Sequence, residues 1–318
     1  LLAVWFSLAC LPATLAGGGM VQSGSIAASL HGAFGWPSLA IGLGTAAAAG
    51  MILTGGLGRI ARVSQALVPA MALLYLGGGA LVLLLRWQQV PQALSLIFRC
   101  ALTPEAALGG GLGWTAAEAL RHGVARGVFT NEAGLGTSAM AHGAAEVDYP
   151  ARQGMWGIFE VFFATLLTCT LTALVILVGG VYQPETVLSQ LRQGTLPDWA
   201  LGVPLTARSF SAVLGEAGAW IVWISLLLFA FSSILGWSYY GQQSLRFLTG
   251  GDRLLPLYRA VFLGCVVLGA CGNSAGLWQL VDLCNALMAI PNLLALLLLA
   301  PQALRLLQQW VQQQNTPV

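Results

Sequence analysis

Apolar residues along this chain recur in long unbroken runs, not in the short amphipathic stripes of a soluble fold. A helix that spans a bilayer needs about 20 predominantly apolar residues. About eight stretches meet that length criterion. They cover residues 1–30, 37–56, 66–86, 113–142, 154–182, 212–243, 256–272 and 277–300. The first is expected to be interrupted at Gly17-Gly18-Gly19, and the last holds Pro291. Residues 87–112 and 183–208 carry prolines, glycines and polar groups, and are expected to be loops with short surface helices. The Gln-rich tail 308–318 is expected to be a polar, frayed, cytoplasmic end. The fold class is therefore an all-α polytopic membrane protein forming one transmembrane domain over 1–318.

Composition agrees. The chain is 57% hydrophobic and 8% charged, against about 25% charged residues in a typical soluble domain. Only lipid tolerates so uncharged a surface. A net charge of +2 without basic clusters excludes a nucleic-acid footprint. All 13 basic residues are Arg. The six cysteines show no CxxC or zinc-type spacing and read as small buried hydrophobes. With alternating spans, Arg59, Arg62, Arg152, Arg246, Arg253, Arg259 and Arg305 share one side. Arg86, Arg99, Arg192 and Arg208 share the other. The richer set marks the cytoplasm, so both ends of the chain are expected inside. The N-terminal run resembles a signal-peptide core but lacks a basic leader, and a chain truncated at its N-terminus is the preferred expectation.

The fourth span carries the chemistry. It holds Glu118, Arg121, Arg126 and Glu132, and each charge near mid-membrane costs about 2.5–3.5 kcal/mol on insertion scales. Such a segment must face protein or water. Gly127, Gly134 and Gly136 are places where the helix can unwind. Freed backbone groups in a bilayer require a cavity, a ligand or an ion. Secondary transporters build their sites from such broken helices. A kinked helix whose charges pair internally, Glu118 with Arg121 or His122, is the structural alternative. By charge alone Glu132 is the prominent candidate.

Three other groups of polar residues sit in apolar surroundings. Ser232 and Ser233 can bond back to the preceding turn, or offer neutral oxygens to a hard monovalent cation. Trp237 is one turn from Ser233 and can wall off a small ligand. Tyr239 and Tyr240 can serve as interfacial anchors. Gln22 can act as interhelical glue or bond a ligand. Asp282 is expected near the outer end of the last span, exposed to water.

The run Gly123-Val-Ala-Arg126-Gly127-Val-Phe129-Thr130-Asn131-Glu132-Ala-Gly134-Leu-Gly136 resembles the signature of the alanine or glycine:cation symporters, the sodium:alanine symporter family. Met20-Val-Gln22-Ser23, Gly55-Gly56-Leu-Gly-Arg59-Ile60, Val68-Pro69-Ala-Met71, Thr168-Cys169-Thr170-Leu-Thr172, Ser233-Ile-Leu-Gly-Trp237-Ser-Tyr-Tyr-Gly241 and Leu287-Met288-Ala-Ile-Pro291-Asn292 match in the same order. The resemblance implies a leucine-transporter-type inverted-repeat fold with core helices three to ten present and the first two missing. The fourth span would be core helix six. It also implies sodium-coupled symport of alanine or glycine across a bacterial-type plasma membrane, with Na+ as coupling ion and no other cofactor.

By position, Gln22, Asn131, Gly134, Gly136, Ser233 and Trp237 resemble substrate-site residues. Ser232 and Ser233 match the fold's sodium position, with Thr130 a further ion candidate. In this light Asn131 and the two later glycines become better ligand candidates than Glu132. Family members usually carry Asp where Ala164 stands and Thr where Ser233 stands. The competing readings are a non-transporting remnant and an intramembrane enzyme using Glu118, His122, Glu132 and His142. No HExxH-type metal spacing supports the enzyme.

Overall fold

The computed structural model describes residues 1–102, 116–132, 134–183, 186–187, 190, 193–195, 197–200, 202–272 and 275–315. Helix α1 runs through Leu2–Phe34. Helices α2 (Ser38–Leu53), α3 (Gly56–Leu85) and α4 (Val90–Leu102) follow. The broken segment comprises α5 (Ala116–Asn131) and α6 (Thr137–His142). Then come α7 (Pro150–Val178), α8 (Gly202–Leu214), α9 (Glu216–Thr249), α10 (Leu255–Cys271) and α11 (Ala275–Asn315).

Five of these helices are long and apolar enough to cross a membrane: α1, α3, α7, α9 and α11. Helices α2 and α10 are shorter and apolar. The outer faces are those of a lipid-facing bundle: Leu297 and Leu298 on α11 are each 74% exposed. A water-facing helix would place polar residues there.

Helix α9 is the central element. Its Ala230, Ile234 and Leu235 pack with α1, α2 and α10 around Phe262. Its Val222 packs with α3, α4, α7 and α8 around Phe210. Its Trp237 packs with α1, α11 and Leu135 of the broken segment. Small residues set the closest crossings, as in membrane bundles generally. A Cβ at Gly24 would lie 3.0 Å from the Gly269 carbonyl oxygen, so α1 and α10 meet backbone to backbone. Interhelical hydroxyl pairs add to this: Thr14 Oγ1 with Tyr258 Oη at 2.9 Å, and Tyr75 Oη with Thr172 Oγ1 at 2.6 Å.

The structure corrects four expectations. The glycines at 17–19 do not interrupt α1; they lie within a π-helical stretch, Thr14–Val21. Gly18 fits under Trp237, so these glycines serve close packing rather than a break. Helix α8 begins in the region expected as a loop with surface helices, yet its Leu205 and Ala207 are buried, because its apolar face closes the second core. Gly127 is helical, so the break is narrower than Gly127–Gly136. The polar tail is helical through Asn315, continuous with the last span.

Candidate substrate and ion site

The break occupies the residues between Asn131 and Thr137. Glu132 has φ 53°, Gly134 φ 84° and Gly136 φ 96°. Left-handed backbone is natural for glycine but costs an L-residue such as Glu roughly 1–2 kcal/mol. The surrounding structure must hold Glu132 there. Two bonds do so locally: the Leu135 amide donates to the Glu132 carbonyl at 3.1 Å, and Asn292 Nδ2 donates to the Gly134 carbonyl at 2.9 Å. The second bond satisfies a carbonyl that the unwinding released. Gly136 is crowded as well as left-handed, since a Cβ there would meet Phe6 and Asn292.

Two π-helical stretches contact this segment, one from each side. Such bulges widen a helix locally and recur at functional sites. The stretch in α1 brings Gly17 beside Phe129 and Gly18 beneath Trp237. The stretch in α7, Phe162–Cys169, contains Thr165, whose Oγ1 accepts a hydrogen bond from Asn131 Nδ2 at 3.3 Å. Trp237 is 4% exposed. It stacks on Phe129 at 5.8 Å and meets Tyr240 edge-on at 5.9 Å.

Gly18 faces Trp237 and Thr14 faces Gly241, so α1 and α9 run antiparallel here, with Phe129 of the broken helix against Trp237. Asn131, Gly134 and Gly136 instead turn toward Thr165, Asn292 and Phe6. Ser232 Oγ donates to the Phe229 carbonyl at 2.9 Å, the back-bond that a helical Ser favours, and lies 3.9 Å from Met71 Sδ. Its lone pairs remain able to accept. Thr130 is exposed.

The charges resolve differently from expectation. Arg126 Nη2 donates to both carboxylate oxygens of Asp282, at 2.5 and 2.6 Å, and its guanidinium lies 4.2 Å from the Trp278 ring centre. Asp282 is therefore a partner of the broken helix. Phe129 meets the same Trp278 edge-on at 5.5 Å. The side chains of Glu118 and His122 lie outside the described residues, so their pairing with Arg121 is untouched. Tyr240 lies beside the Glu132 carboxyl. His142 joins Gln153 at 2.8 Å and Glu160 at 3.3 Å, away from the break. Among the described residues no group of His, Cys, Asp and Glu could hold a metal ion.

On the far side of the break from Arg126 lies a cavity of about 490 Å³. Phe6, Gly136, Met140, Ser244, Phe247 and Asn292 are among the residues that line it. Phe6, Phe129 and Thr165 were not apparent as site residues in the sequence. Aromatic and hydroxyl side chains in apolar runs have no periodic signature to separate a site from a core.

Residues 1–317 match the sodium:alanine symporter family. The chain belongs to that family. That family is one of transporters, not of enzymes. It is 36% identical to an uncharacterized transporter, YflA, of Bacillus subtilis, over 94% of this chain and 61% of the relative. It is 36% identical to the sodium/alanine symporter AgcS of Methanococcus maripaludis, over 89% of this chain and 59% of the relative. It is also 34% identical to the probable sodium/glutamine symporter GlnT of Bacillus subtilis, over 93% and 58%. The symporter chain thus spans about three-fifths of the length of the relatives it matches.

Thr165, which follows Ala164, is the residue that Asn131 reaches, and its hydroxyl makes the contact between the broken helix and α7.

Proposed function

We propose that this chain forms the greater part of a sodium-coupled symporter that carries a small neutral amino acid, alanine or glycine, into the cell by alternating access. The carrying observation is the break at Glu132–Gly136, whose freed Gly134 carbonyl is held by Asn292 while Phe129 at its rim stacks on Trp237. Helix ends and carbonyls at such a break suit the carboxylate and ammonium of an amino acid. Gln22, Asn131, Gly134, Gly136, Ser233 and Trp237 are assigned to the substrate, with Trp237 limiting side-chain size. Ser232 and Ser233, with Thr130 a weaker candidate, are assigned to sodium. The fold is assigned to the leucine-transporter type, with these helices as core helices three to ten. Both ends of the chain are placed on the cytoplasmic side of a bacterial-type plasma membrane, from the Arg distribution.

Sodium stabilises the binding-competent state, and its gradient supplies the driving force. The test is uptake of labelled alanine and glycine by the complete protein in proteoliposomes. An inward sodium gradient is expected to drive accumulation, and replacing sodium by choline is expected to abolish it. Uptake unchanged in choline, without a pH gradient, would sink the sodium assignment. Because one relative is named for glutamine, glutamine competition is the specificity control, and Trp237→Leu is expected to admit it better than the parent does.

A further inference from the structure

Glu132 is not used by the substrate and sodium assignments above, yet its surroundings are unusual. Its carboxyl faces the hydroxyls of Thr137 and Tyr240 in the bundle interior. Cys10 of α1 is in the buried cluster with Leu135 against which Tyr240 packs, and Ser244 lies beside Cys10. Tyr240 and Ser244 are one turn apart on α9, so they stack on one face. Among the described residues no Arg or His lies within ion-pair distance of Glu132; Arg126 is committed to Asp282 and His142 to Glu160. Two hydroxyls are also left over. Thr137 Oγ1 and Ser244 Oγ are buried, with their residues 0% and 1% exposed, and neither has a hydrogen-bond partner of good geometry. A half-buried carboxylate without a counter-charge and two orphaned hydroxyls are each costly. One bound cation would relieve all three.

We propose that Glu132, Thr137, Tyr240 and Ser244 form a monovalent-cation site at the helix break, separate from the Ser232–Ser233 position. The donors are hard oxygens, which suit an alkali ion rather than a transition metal. A single carboxylate neutralises one positive charge, whereas a divalent ion would leave a net buried charge. The cavity lined by Gly136 and Ser244 gives the ion an approach. The site stands on this geometry and does not depend on the assignment of Ser232 and Ser233. The cation is an alkali ion or the ammonium group of an amino acid.

The experiment is equilibrium binding of radioactive sodium to the purified complete protein without amino acid, which reads the site independently of transport. Glu132→Gln is expected to lose one bound ion per protein, while Gly127→Ala keeps it. Thr137→Val and Ser244→Ala keep the charge, and each is expected to weaken that ion roughly fivefold, about 1 kcal/mol for one lost ligand bond. They decide the question if Glu132→Gln does not fold. If sodium does not bind but alanine binds in sodium-free medium, and Glu132→Gln abolishes that binding, the site takes the ammonium group. Wild-type binding of both ligands in Glu132→Gln, or in both Thr137→Val and Ser244→Ala, overturns the proposal.

Discussion

Trp237 sits directly over Gly18, so close that a Cβ on residue 18 would overlap its Cβ and Cγ. The clash involves atoms next to the α9 backbone, which no rotamer change can withdraw. Gly18→Ala is therefore expected to push α1 from α9, at a cost of about 1–3 kcal/mol for overpacking. It should also tilt Trp237 off Phe129. The readouts are thermal unfolding in detergent and alanine affinity, and both should fall. Retention of both would mean that the crossing is looser than described.

The break itself can be mapped with two glycine substitutions. Gly127 is helical with nothing within 4 Å of an added Cβ. Gly127→Ala is expected to be neutral or stabilising, by up to about 1 kcal/mol from helix propensity. Gly136 is left-handed and crowded. Gly136→Ala is expected to destabilise by about 1–3 kcal/mol and to remove alanine binding. Equal effects at the two positions would place the break elsewhere.

Asn292 holds the Gly134 carbonyl at 2.9 Å. Asn292→Asp preserves the shape but removes the donor and sets an acceptor against an acceptor. Substrate affinity is expected to fall about tenfold, equivalent to about 1.4 kcal/mol for a freed carbonyl left unpaired. Asn292→Gln, which keeps a donor on a longer arm, should recover part of it. Binding measured by calorimetry separates the two.

Arg126 and Asp282 tie the broken helix to α11, with side chains 37% and 34% exposed. Because water screens such a pair, a double-mutant cycle is expected to give a coupling of only about 1 kcal/mol in stability. Its larger effect should be conformational. In Arg126→Gln, a cysteine-accessibility probe at Phe129 is expected to react faster than in the parent. Unchanged reactivity would limit the pair to a structural tie.

Much of this was legible from the chain alone. Long apolar runs mark spanning helices because a bilayer demands length and lack of charge, whatever the packing partners. The segment from Asn131 to Gly136 announces a break because lipid forbids charge and free backbone without a reason for them. The ordered motifs place the chain in its family. Other features were not readable. The π-helical stretches of α1 and α7 look like ordinary apolar helix, since one extra residue per turn leaves no mark on composition. The left-handed states of Gly134 and Gly136 are held by neighbours distant in sequence, Asn292 and Phe6 among them.

Sequence by itself determined the solvent of this protein, its helical class, its family and the position of its break, because each depends on local composition and spacing. Only the tertiary structure decided that Arg126 belongs with Asp282, that Gly18 lies under Trp237, and that Glu132 turns inward to Thr137 and Tyr240. Those pairings join residues up to 219 positions apart, and no periodicity along the chain encodes which helix faces which.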